Sequence, residues 1–246
     1  MSRFLMGFHA LDMLLSCNSD RIKMVYHSSV RRDRRMDDVL SNLEERSIPR
    51  VSCDRSRLSQ LVGDVHHQGI VIEVYPLPPC SIDDVLDSCV RPVLLVLDGV
   101  TDPHNFGACL RVADATGVTA VVVPKNNSSS LTSVVVKSSS GSSEFVRLLS
   151  VTNLSRSLKI MYEERGIDVV GTDDNADLDL WSWHPEESES GVAVVLGSEG
   201  GGMRRLTREC CRSSVKIPMY GCVASLNVSV ASGVVLYYVR QRLSNR

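Results

Sequence analysis

Residues 92–123 read PVLLVLDGVTDPHNFGACLRVADATGVTAVVV and carry the clearest structural signal in the chain. The opening PVLLVL is a continuous apolar run, which is typical of a parallel strand buried on both faces. Asp102 suits the N-cap of a following helix, Pro103 fits its first turn, and Gly117 fits the position after its end. The run VTAVVV at 118–123 predicts a second buried strand. The stretch therefore predicts a right-handed βαβ unit.

The same pattern continues toward the end of the chain. We predict a helix near 153–165, a strand at 167–171 and another strand at 192–196. A last helix is predicted where apolar residues recur at helical spacing, at Leu226, Val230, Val234 and Tyr237. Because strands alternate with helices, we expect residues 92–246 to form an α/β domain with a largely parallel sheet.

A smaller unit precedes this domain. Residues 1–75 alternate predicted helices and strands, which indicates a small α/β sandwich. Its predicted elements are a helix around Leu5 to Leu15, a strand at 22–26, a charged helix near 35–46, and strand-like segments at 48–51 and 70–75. The prolines of YPLPPCSIDD (75–84) oppose regular strand pairing, so we interpret 76–91 as a stiff linker between the two domains.

Composition narrows the class of protein. The 246 residues are 43% hydrophobic and 23% charged, which is typical of one large or two small globular domains. No window reaches the roughly 18 apolar residues of a membrane span, and the N-terminus lacks the features of a signal peptide. None of the eight cysteines forms a CxxC pair, which disfavours a zinc ribbon or a redox motif. We therefore expect a cytoplasmic protein with free thiols.

The formal net charge of -2 gives no overall attraction to nucleic acid, so any basic surface must be local. Basic residues are concentrated in the first unit, at Arg31, Arg32, Arg34, Arg35, Arg46, Arg50, Arg55 and Arg57. Two interpretations of this cluster are open: a solvated helix face, or a patch that binds phosphate.

Several common enzyme motifs are absent. No GxGxxG follows the strand that ends near Leu97, no GxxxxGK[ST] loop occurs, and there is no GxSxG nucleophile elbow. His66 and His67 are adjacent, and adjacent side chains on a strand diverge, so they are poor candidates for a metal site. A dehydrogenase, a P-loop enzyme and a serine hydrolase are therefore disfavoured.

Polar residues are concentrated in three segments at predicted strand ends, where α/β proteins bind ligands. These segments carry Asn105 and Arg111, then Glu199 within the glycine run 197–202, and finally Ser225 and Asn227. Each segment also has a purely structural interpretation. Asp102 and Asn105 would cap a helix, Arg111 would pair with Asp114, the glycine run would be a flexible turn, and Ser225 would cap the last helix.

Taken together, three segments resemble the successive motifs of the SpoU (TrmH-like) branch of the SPOUT RNA methyltransferases. They are DPHNFGACLRVADATG (102–117), LGSEGGGM (196–203) and IPMYGCVASLNVSVASG (217–233). KSSSGSSEF (137–145) resembles the family's segment between its first two motifs. GFHALDMLL and HHQGI in the first unit resemble the small ribosomal-protein-like, L30e-like RNA-binding domain of one subgroup.

The resemblance implies a C-terminal domain with a trefoil knot whose loops bind S-adenosylmethionine. The positions that match the family's cofactor-binding residues are Gly197, Ile217, Met219 and Leu226. The positions that match its catalytic residues are Asn105, Arg111, Glu199, Ser225 and Asn227. The family transfers a methyl group to a ribose 2′-hydroxyl without a metal, and the matching arginine is assigned to activating that hydroxyl.

The resemblance also implies partners. The subgroup includes a bacterial enzyme that methylates a guanosine of the 23S rRNA peptidyl-transferase loop, so the substrate would be 23S rRNA or a pre-ribosomal large-subunit particle. The family works as a homodimer with residues of both chains in each active site, and Arg204, Arg205, Arg208 and Arg212 would meet RNA. Two alternatives are a tRNA 2′-O-methyltransferase of the same family and a non-catalytic ribosome-assembly protein that binds RNA.

Overall fold

The computed structural model describes residues 3–63, 67–78 and 80–244. The chain divides into two compact units, Met1–Pro78 and Pro79–Arg246. Among the helices of the described residues, none combines the length and apolarity that a bilayer span requires.

The first unit is built on a four-stranded sheet. Its strands are β1 (Arg3–Met6), β2 (Ile22–Ser28), β3 (Arg50–Cys53) and β4 (Ile70–Val74), and its helices are α1 (Phe8–Cys17), α2 (Arg34–Glu45) and α3 (Arg55–Val62). The strand order is β1-β4-β2-β3, with β4 antiparallel to both of its neighbours and β2 parallel to β3. Strand β4 is central and buried along its whole length, as its apolar sequence IVIEV requires.

The start of the first unit differs from the prediction of a helix beginning at Leu5. Leu5 lies on β1 and pairs with Ile72 of β4. Gly7, at φ 87°, allows the chain to turn between β1 and α1, so the helix begins only at Phe8. The apolar residues before Gly7 are therefore buried by strand pairing.

Some arginines of the first unit have a structural role, and others are free to bind phosphate. The guanidinium groups of Arg31 and Arg35 each stack over the Phe8 ring at 4.5 Å, and Arg31 also pairs with Asp33 at 2.5 Å. These two arginines thus help to hold the fold. Arg32 and Arg34 are exposed and form no ion pair with any other described residue, so they are available to an external ligand.

The second unit contains a seven-stranded parallel sheet. Its strands are β5 (Val93–Asp98), β6 (Ala120–Pro124), β7 (Leu148–Val151), β8 (Asp168–Thr172), β9 (Leu178–Asp179), β10 (Val192–Gly197) and β11 (Ser213–Lys216). Its α-helices are α4 (Ile82–Asp87), α5 (Pro103–Ala115), α6 (Ser133–Ser138), α7 (Leu154–Lys159), α8 (Arg205–Glu209) and α9 (Val228–Ser244). The strand order is β7-β6-β5-β10-β8-β11-β9, and each pair is parallel. The predicted α/β class with a largely parallel sheet is confirmed.

Both faces of this sheet are covered, which explains the continuous apolar run of β5. Val93, Leu95 and Leu97 belong to one core cluster, which they share with apolar residues of α5 and α9. Leu94 and Val96 point to the opposite face, where they share a second cluster with residues of α4 and α7. Alternate residues of one strand therefore fill two separate cores.

The segment 76–91, predicted as a linker, contains α4. A capping box begins this helix: Ser81 Oγ accepts the Asp84 N–H at 3.1 Å, and Asp84 Oδ2 accepts the Ser81 N–H at 2.7 Å. Val85 and Leu86 are buried in the second core cluster. The helical part of the segment therefore packs within the second unit, while Pro79 lies outside the described residues.

Candidate active site

Two neighbouring strands deliver polar residues to one edge of the sheet. Asp98 ends β5 and Gly197 ends β10, and these two residues are directly paired in register. The chain after β5 enters α5, whose first turn carries Asn105. The chain after β10 enters the glycine run that carries Glu199. Parallel pairing of the two strands therefore places Asn105 and Glu199 at the same edge.

Asn105, Glu199 and Asn227 form a hydrogen-bonded group, hereafter the Asn–Glu–Asn cluster. The Asn105 Nδ2 group donates to Glu199 Oε1 at 2.9 Å. The Asn227 Nδ2 group donates to Asn105 Oδ1 at 3.0 Å and also to Glu199 Oε1. Glu199 and Asn227 are exposed and Asn105 is half-buried, so the cluster is accessible to a substrate. Residues far apart in the sequence thus form one polar group.

Helix N-capping holds two members of this cluster in place. Asp102 is the N-cap of α5, where its carboxylate accepts the Asn105 N–H at 2.8 Å, as predicted. The Asn105 side chain is therefore free to join the cluster. Asn227 immediately precedes α9, and its Oδ1 accepts the Ser229 N–H at 2.9 Å. The prediction that Ser225 caps this helix is wrong, because Asn227 takes that position.

The glycine run is a tight turn with a defined structure. Ser198 and Gly202 exchange two backbone hydrogen bonds, of 3.0 and 2.9 Å. Gly200 and Gly202 have φ angles of 73° and 61°, a region that glycine adopts without strain. A Cβ on Gly197 would lie 2.1 Å from the Gly202 carbonyl carbon. Close backbone approach therefore requires glycine at the end of β10.

A cavity of about 330 Å³ lies beside the cluster. Its lining includes every residue predicted to bind the cofactor, together with two predicted catalytic residues: Gly197, Ile217, Met219 and Leu226, with Glu199 and Ser225. The volume is within the usual range for small-molecule sites. The turn 197–202 brings backbone groups to one wall, and apolar side chains form another.

The chemistry of the lining fits S-adenosylmethionine. Leu196, Ile217 and Leu226 offer apolar surface suited to an adenine ring. Asp173, Asp174 and Glu199 supply carboxylates suited to a ligand that carries a sulfonium and an ammonium group. Arg208 pairs with Asp173 at 3.1 Å at this cavity, so the lining also contains a cation able to meet a carboxylate.

Arg111 does not join the cluster within its own chain. It lies six positions beyond Asn105 on α5, is exposed, and does not line the cavity. The suggested pairing with Asp114 is wrong, since Asp114 instead accepts the Ser142 hydroxyl at 2.8 Å. Arg111 makes no hydrogen bond or ion pair within the described parts of the chain.

Sequence reasoning missed an ion pair that supports the site. Asp98, 1% exposed, accepts hydrogen bonds from the Arg204 backbone N–H at 2.9 Å and from Arg204 Nε at 2.6 Å. This pair ties the end of the glycine turn to the end of β5. The sequence signal for this ion pair was Asp98, an acidic residue at the end of an apolar strand.

Thiol and metal chemistry receive no support from the described residues. Burial raises the pKa of the Cys109 thiol to about 12, and that of Cys211 likewise to about 12, so both are poor nucleophiles. His66 lies outside the described residues, and His67 Nδ1 accepts the Gly69 N–H at 3.0 Å. No group of three potential metal ligands occurs in the part of the chain that the structure describes.

The fold and the site define an α/β protein with a small-molecule cavity and a polar cluster at the carboxyl ends of its strands. Residues 92–237 match the model of the SpoU rRNA Methylase family, and residues 4–80 match that of RNA 2′-O ribose methyltransferase substrate binding. The chain belongs to the SpoU rRNA methylase family, which confirms the resemblance seen in the three motifs.

Individual relatives agree with this assignment. The chain is 47% identical to the 23S rRNA (guanosine-2′-O-)-methyltransferase RlmB of Ralstonia nicotianae, over 98% of this chain and 96% of the relative. It is 43% identical to the RlmB of Vibrio vulnificus, over 100% of this chain and 99% of the relative.

Solved structures share the fold. The SpoU methyltransferase AviRb from Streptomyces viridochromogenes superposes with a TM-score of 0.74 at 23% identity, covering 100% of this chain and 91% of AviRb. AviRb has also been crystallised in complex with the cofactor AdoMet. A putative RNA methyltransferase of the TrmH family from Porphyromonas gingivalis gives a TM-score of 0.72 at 23% identity, covering 98% of this chain and 90% of that one.

Proposed function

We propose that this protein is an S-adenosylmethionine-dependent enzyme that methylates a guanosine ribose 2′-hydroxyl in 23S rRNA, in the peptidyl-transferase loop. The observation that carries the proposal is the Asn–Glu–Asn cluster beside a cavity suited to the cofactor. Identity of 47% over nearly the whole length of a 23S rRNA guanosine methyltransferase supports the choice of substrate.

The cofactor would occupy the cavity beside the cluster. Backbone groups of Gly197 and the side chains of Ile217, Met219 and Leu226 would hold it. When bound, S-adenosylmethionine supplies an activated methyl group on its sulfonium, and this chemistry needs no metal. The Glu199 carboxylate would face the cationic part of the cofactor and, with Asn105 and Asn227, hold the reacting groups in place.

Methyl transfer also requires that the ribose hydroxyl lose a proton, because its own pKa is far above 7. Arg111 is the candidate for activating this hydroxyl. A guanidinium offers only donors, so Arg111 would not take this proton, which would pass to solvent water at the exposed cluster. We therefore assign Arg111 to stabilising the developing alkoxide or a neighbouring phosphate. Ser225, at the cavity, would orient the substrate or the loop that carries it.

We further propose a trefoil-knotted methyltransferase domain over residues 92–246 that works as a homodimer. Arg111 lies away from the cavity of its own chain, so a partner subunit would supply it. Val230 and Tyr237, seven residues apart on α9, are 51% and 58% exposed, which suits a helix that packs against a second copy. One cavity is lined by residues 197–202 together with Ile217, Met219, Ser225 and Leu226, as expected if the C-terminal segment threads through a knot.

The first unit would bind RNA. We propose that residues 1–75 form a small ribosomal-protein-like domain and that 76–91 joins it to the methyltransferase domain. The match of residues 4–80 to a substrate-binding family and the exposed Arg32 and Arg34 support this role. Of the four arginines expected to meet RNA, Arg205 and Arg212 would add contacts to phosphates, whereas Arg204 is paired with Asp98 and Arg208 with Asp173. The setting would be the cytoplasm, on 23S rRNA or a pre-ribosomal large-subunit particle.

A methylation map tests the function. Total 2′-O-methylation of rRNA and tRNA should be compared in a strain that lacks this protein and in the same strain carrying it on a plasmid. We expect one guanosine mark in 23S rRNA to disappear and to return with the plasmid. Loss of a tRNA mark with unchanged rRNA would instead identify a tRNA enzyme, and calorimetry that detects no S-adenosylmethionine binding would favour a non-catalytic protein.

A further inference from the structure

A second cavity, of about 580 Å³, opens where β6 and β7 end. Its polar lining consists of Asn126, Asn127, Thr152, Asn153, Ser155, Arg204, Arg205 and Thr207. Pro124 ends β6 and Thr152 follows β7, so this cavity lies at the same edge of the sheet as the Asn–Glu–Asn cluster. The motifs that define the cofactor site do not account for it.

The two cavities differ in charge. The cofactor cavity is lined by the carboxylates of Asp173, Asp174 and Glu199, against the cations of Arg208 and Lys216. The second cavity is lined by Arg205 and by Arg204, whose charge the buried Asp98 balances, and none of its described lining residues is acidic. A cationic ligand therefore favours the first cavity and an anionic ligand the second.

Several groups of the second cavity are not needed by the fold. The Asn126 side chain is exposed and makes no hydrogen bond with another described residue. The Arg205 side chain is 78% exposed and pairs with Glu209, whose side chain is 54% exposed. This surface ion pair is weak, so Arg205 can leave Glu209 and bind a phosphate instead. Leu206 is 55% exposed, and its apolar surface is suited to the face of a nucleobase.

The second cavity also lies close to the site of the reaction. Met203 lines the cofactor cavity, and the next residue, Arg204, lines the second cavity. Strand β6 is the direct neighbour of β5, which leads into Asn105. The strands that lead to the Asn–Glu–Asn cluster, β5 and β10, lie one to three strands from β6 and β7, or roughly 5–15 Å. A single RNA strand can therefore pass both.

We propose that the second cavity binds an unpaired nucleotide of the RNA substrate that neighbours the methylated guanosine. The inference rests on the proposed function. The Arg205 guanidinium contacts the phosphate, Leu206 contacts the face of the base, and Asn126 offers a donor and an acceptor to the base edge. The cavity volume of about 580 Å³ lies within the usual range for small-molecule sites, so a nucleotide has room in it.

The test uses a 23S rRNA fragment that contains the peptidyl-transferase loop, with single abasic sites placed at each position flanking the target. Wild-type protein should bind one of these abasic RNAs roughly 10-fold more weakly than the intact RNA, as expected for the loss of one or two hydrogen bonds. In Asn126→Ala, this penalty should become smaller for that RNA alone, because the hydrogen bonds to the base edge are already lost and only the Leu206 contact remains to be removed. If Asn126→Ala shows the same loss of affinity as wild-type protein for every abasic RNA, the inference is overturned.

Arg205→Ala and Glu209→Gln form a matched pair, because both break the same surface ion pair. Only Arg205→Ala should raise the KM for RNA, while kcat at saturating RNA and the Kd for S-adenosylmethionine remain at the wild-type values. If both variants change the KM equally, the ion pair is only structural and the phosphate contact is refuted.

These outcomes separate the inference from the proposed function. If wild-type protein methylates the fragment but Asn126→Ala shows the same abasic penalty, the function stands and the nucleotide site fails. If wild-type protein methylates no rRNA, the proposed function fails. The affinities for the abasic RNAs then still test whether the second cavity binds a nucleotide. RNA affinity that responds to charge but to no single base would leave only a diffuse basic surface and would also refute the site.

Discussion

Glu199 accepts hydrogen bonds from two amide groups, those of Asn105 and Asn227. In Glu199→Gln, an amide oxygen can still accept both bonds, but the negative charge beside the cofactor cavity is lost. We expect methyl transfer to fall about 100-fold, as when one preorganised electrostatic group is removed. The Tm should change little, because the residue is exposed. Single-turnover transfer of a labelled methyl group measures the effect, and a wild-type rate would contradict the role.

At the scale of residues, the residue types and the order of the motifs identified more of the candidate site than the spacing between residues could. The positions of Asn105, Glu199 and Asn227 came from the family resemblance, since nothing local links residues so far apart. Their mutual hydrogen bonds depend on the register of β5 with β10. The Asp98–Arg204 pair was missed for the same reason: the two partners are brought together only by tertiary structure.

The turn after β10 is the element on which the cofactor site depends. In Gly197→Ala, the new Cβ would lie within 2.4 Å of three backbone atoms of Gly202 and Met203, which cannot move without opening the turn. We expect a loss of about 1–3 kcal/mol in unfolding free energy, together with loss of S-adenosylmethionine binding. Gly221→Ala is the control, because a Cβ there meets nothing within 4 Å. Thermal unfolding and calorimetry measure both effects, and equal behaviour of the two variants would contradict the argument.

The loop between β11 and α9 carries a natural probe of cofactor binding. Cys222 is exposed in this loop, whose residues Met219 and Leu226 line the cofactor cavity. We expect S-adenosylmethionine to slow alkylation of Cys222 several-fold and to leave the exposed Cys17 of the first unit unchanged. Mass spectrometry after timed iodoacetamide treatment measures the rates at both sites. Equal rates at Cys222 with and without the ligand would show that this loop does not close over the cofactor.

The buried thiols provide a second control in that experiment. Only the thiolate reacts, and burial both shields the Cys109 thiol and raises its pKa to about 12, so very little of it is thiolate at pH 8. Cys109 should therefore stay unmodified in the native protein. Its modification would indicate unfolding and would invalidate the rates measured at Cys222.

Long periodic elements were predictable from the sequence, and short ones were not. The expected strand at 92–97 is β5, and the helix expected after Asp102 is α5. By contrast, α3 and the short strands β7 and β11 were missed. Those strands have four residues each, with little periodicity, and it is pairing with a neighbour that makes them strands.

At the scale of the whole molecule, the order of strands decides which residues meet. The chain places β10 between β5 and β8, although β8 precedes it in sequence. Local patterns predict that these strands exist and that they are parallel, but they do not give their order. This order is what brings the second and third motifs to one cavity, and it leaves Arg111 outside that cavity.

The position of Arg111 leads to a prediction about the dimer. If Arg111 of the partner subunit completes each site, a heterodimer of Arg111→Ala and Glu199→Gln chains contains one site with both changes and one site with neither. Each parental homodimer should be nearly inactive, whereas the heterodimer, isolated through two different affinity tags, should retain about half of the wild-type activity per dimer. S-adenosylmethionine binding to Arg111→Ala, measured by calorimetry, should be unchanged, because this exposed side chain does not line the cavity. An inactive heterodimer would instead mean that Arg111 serves the site of its own chain, which would require α5 to move from the position described here.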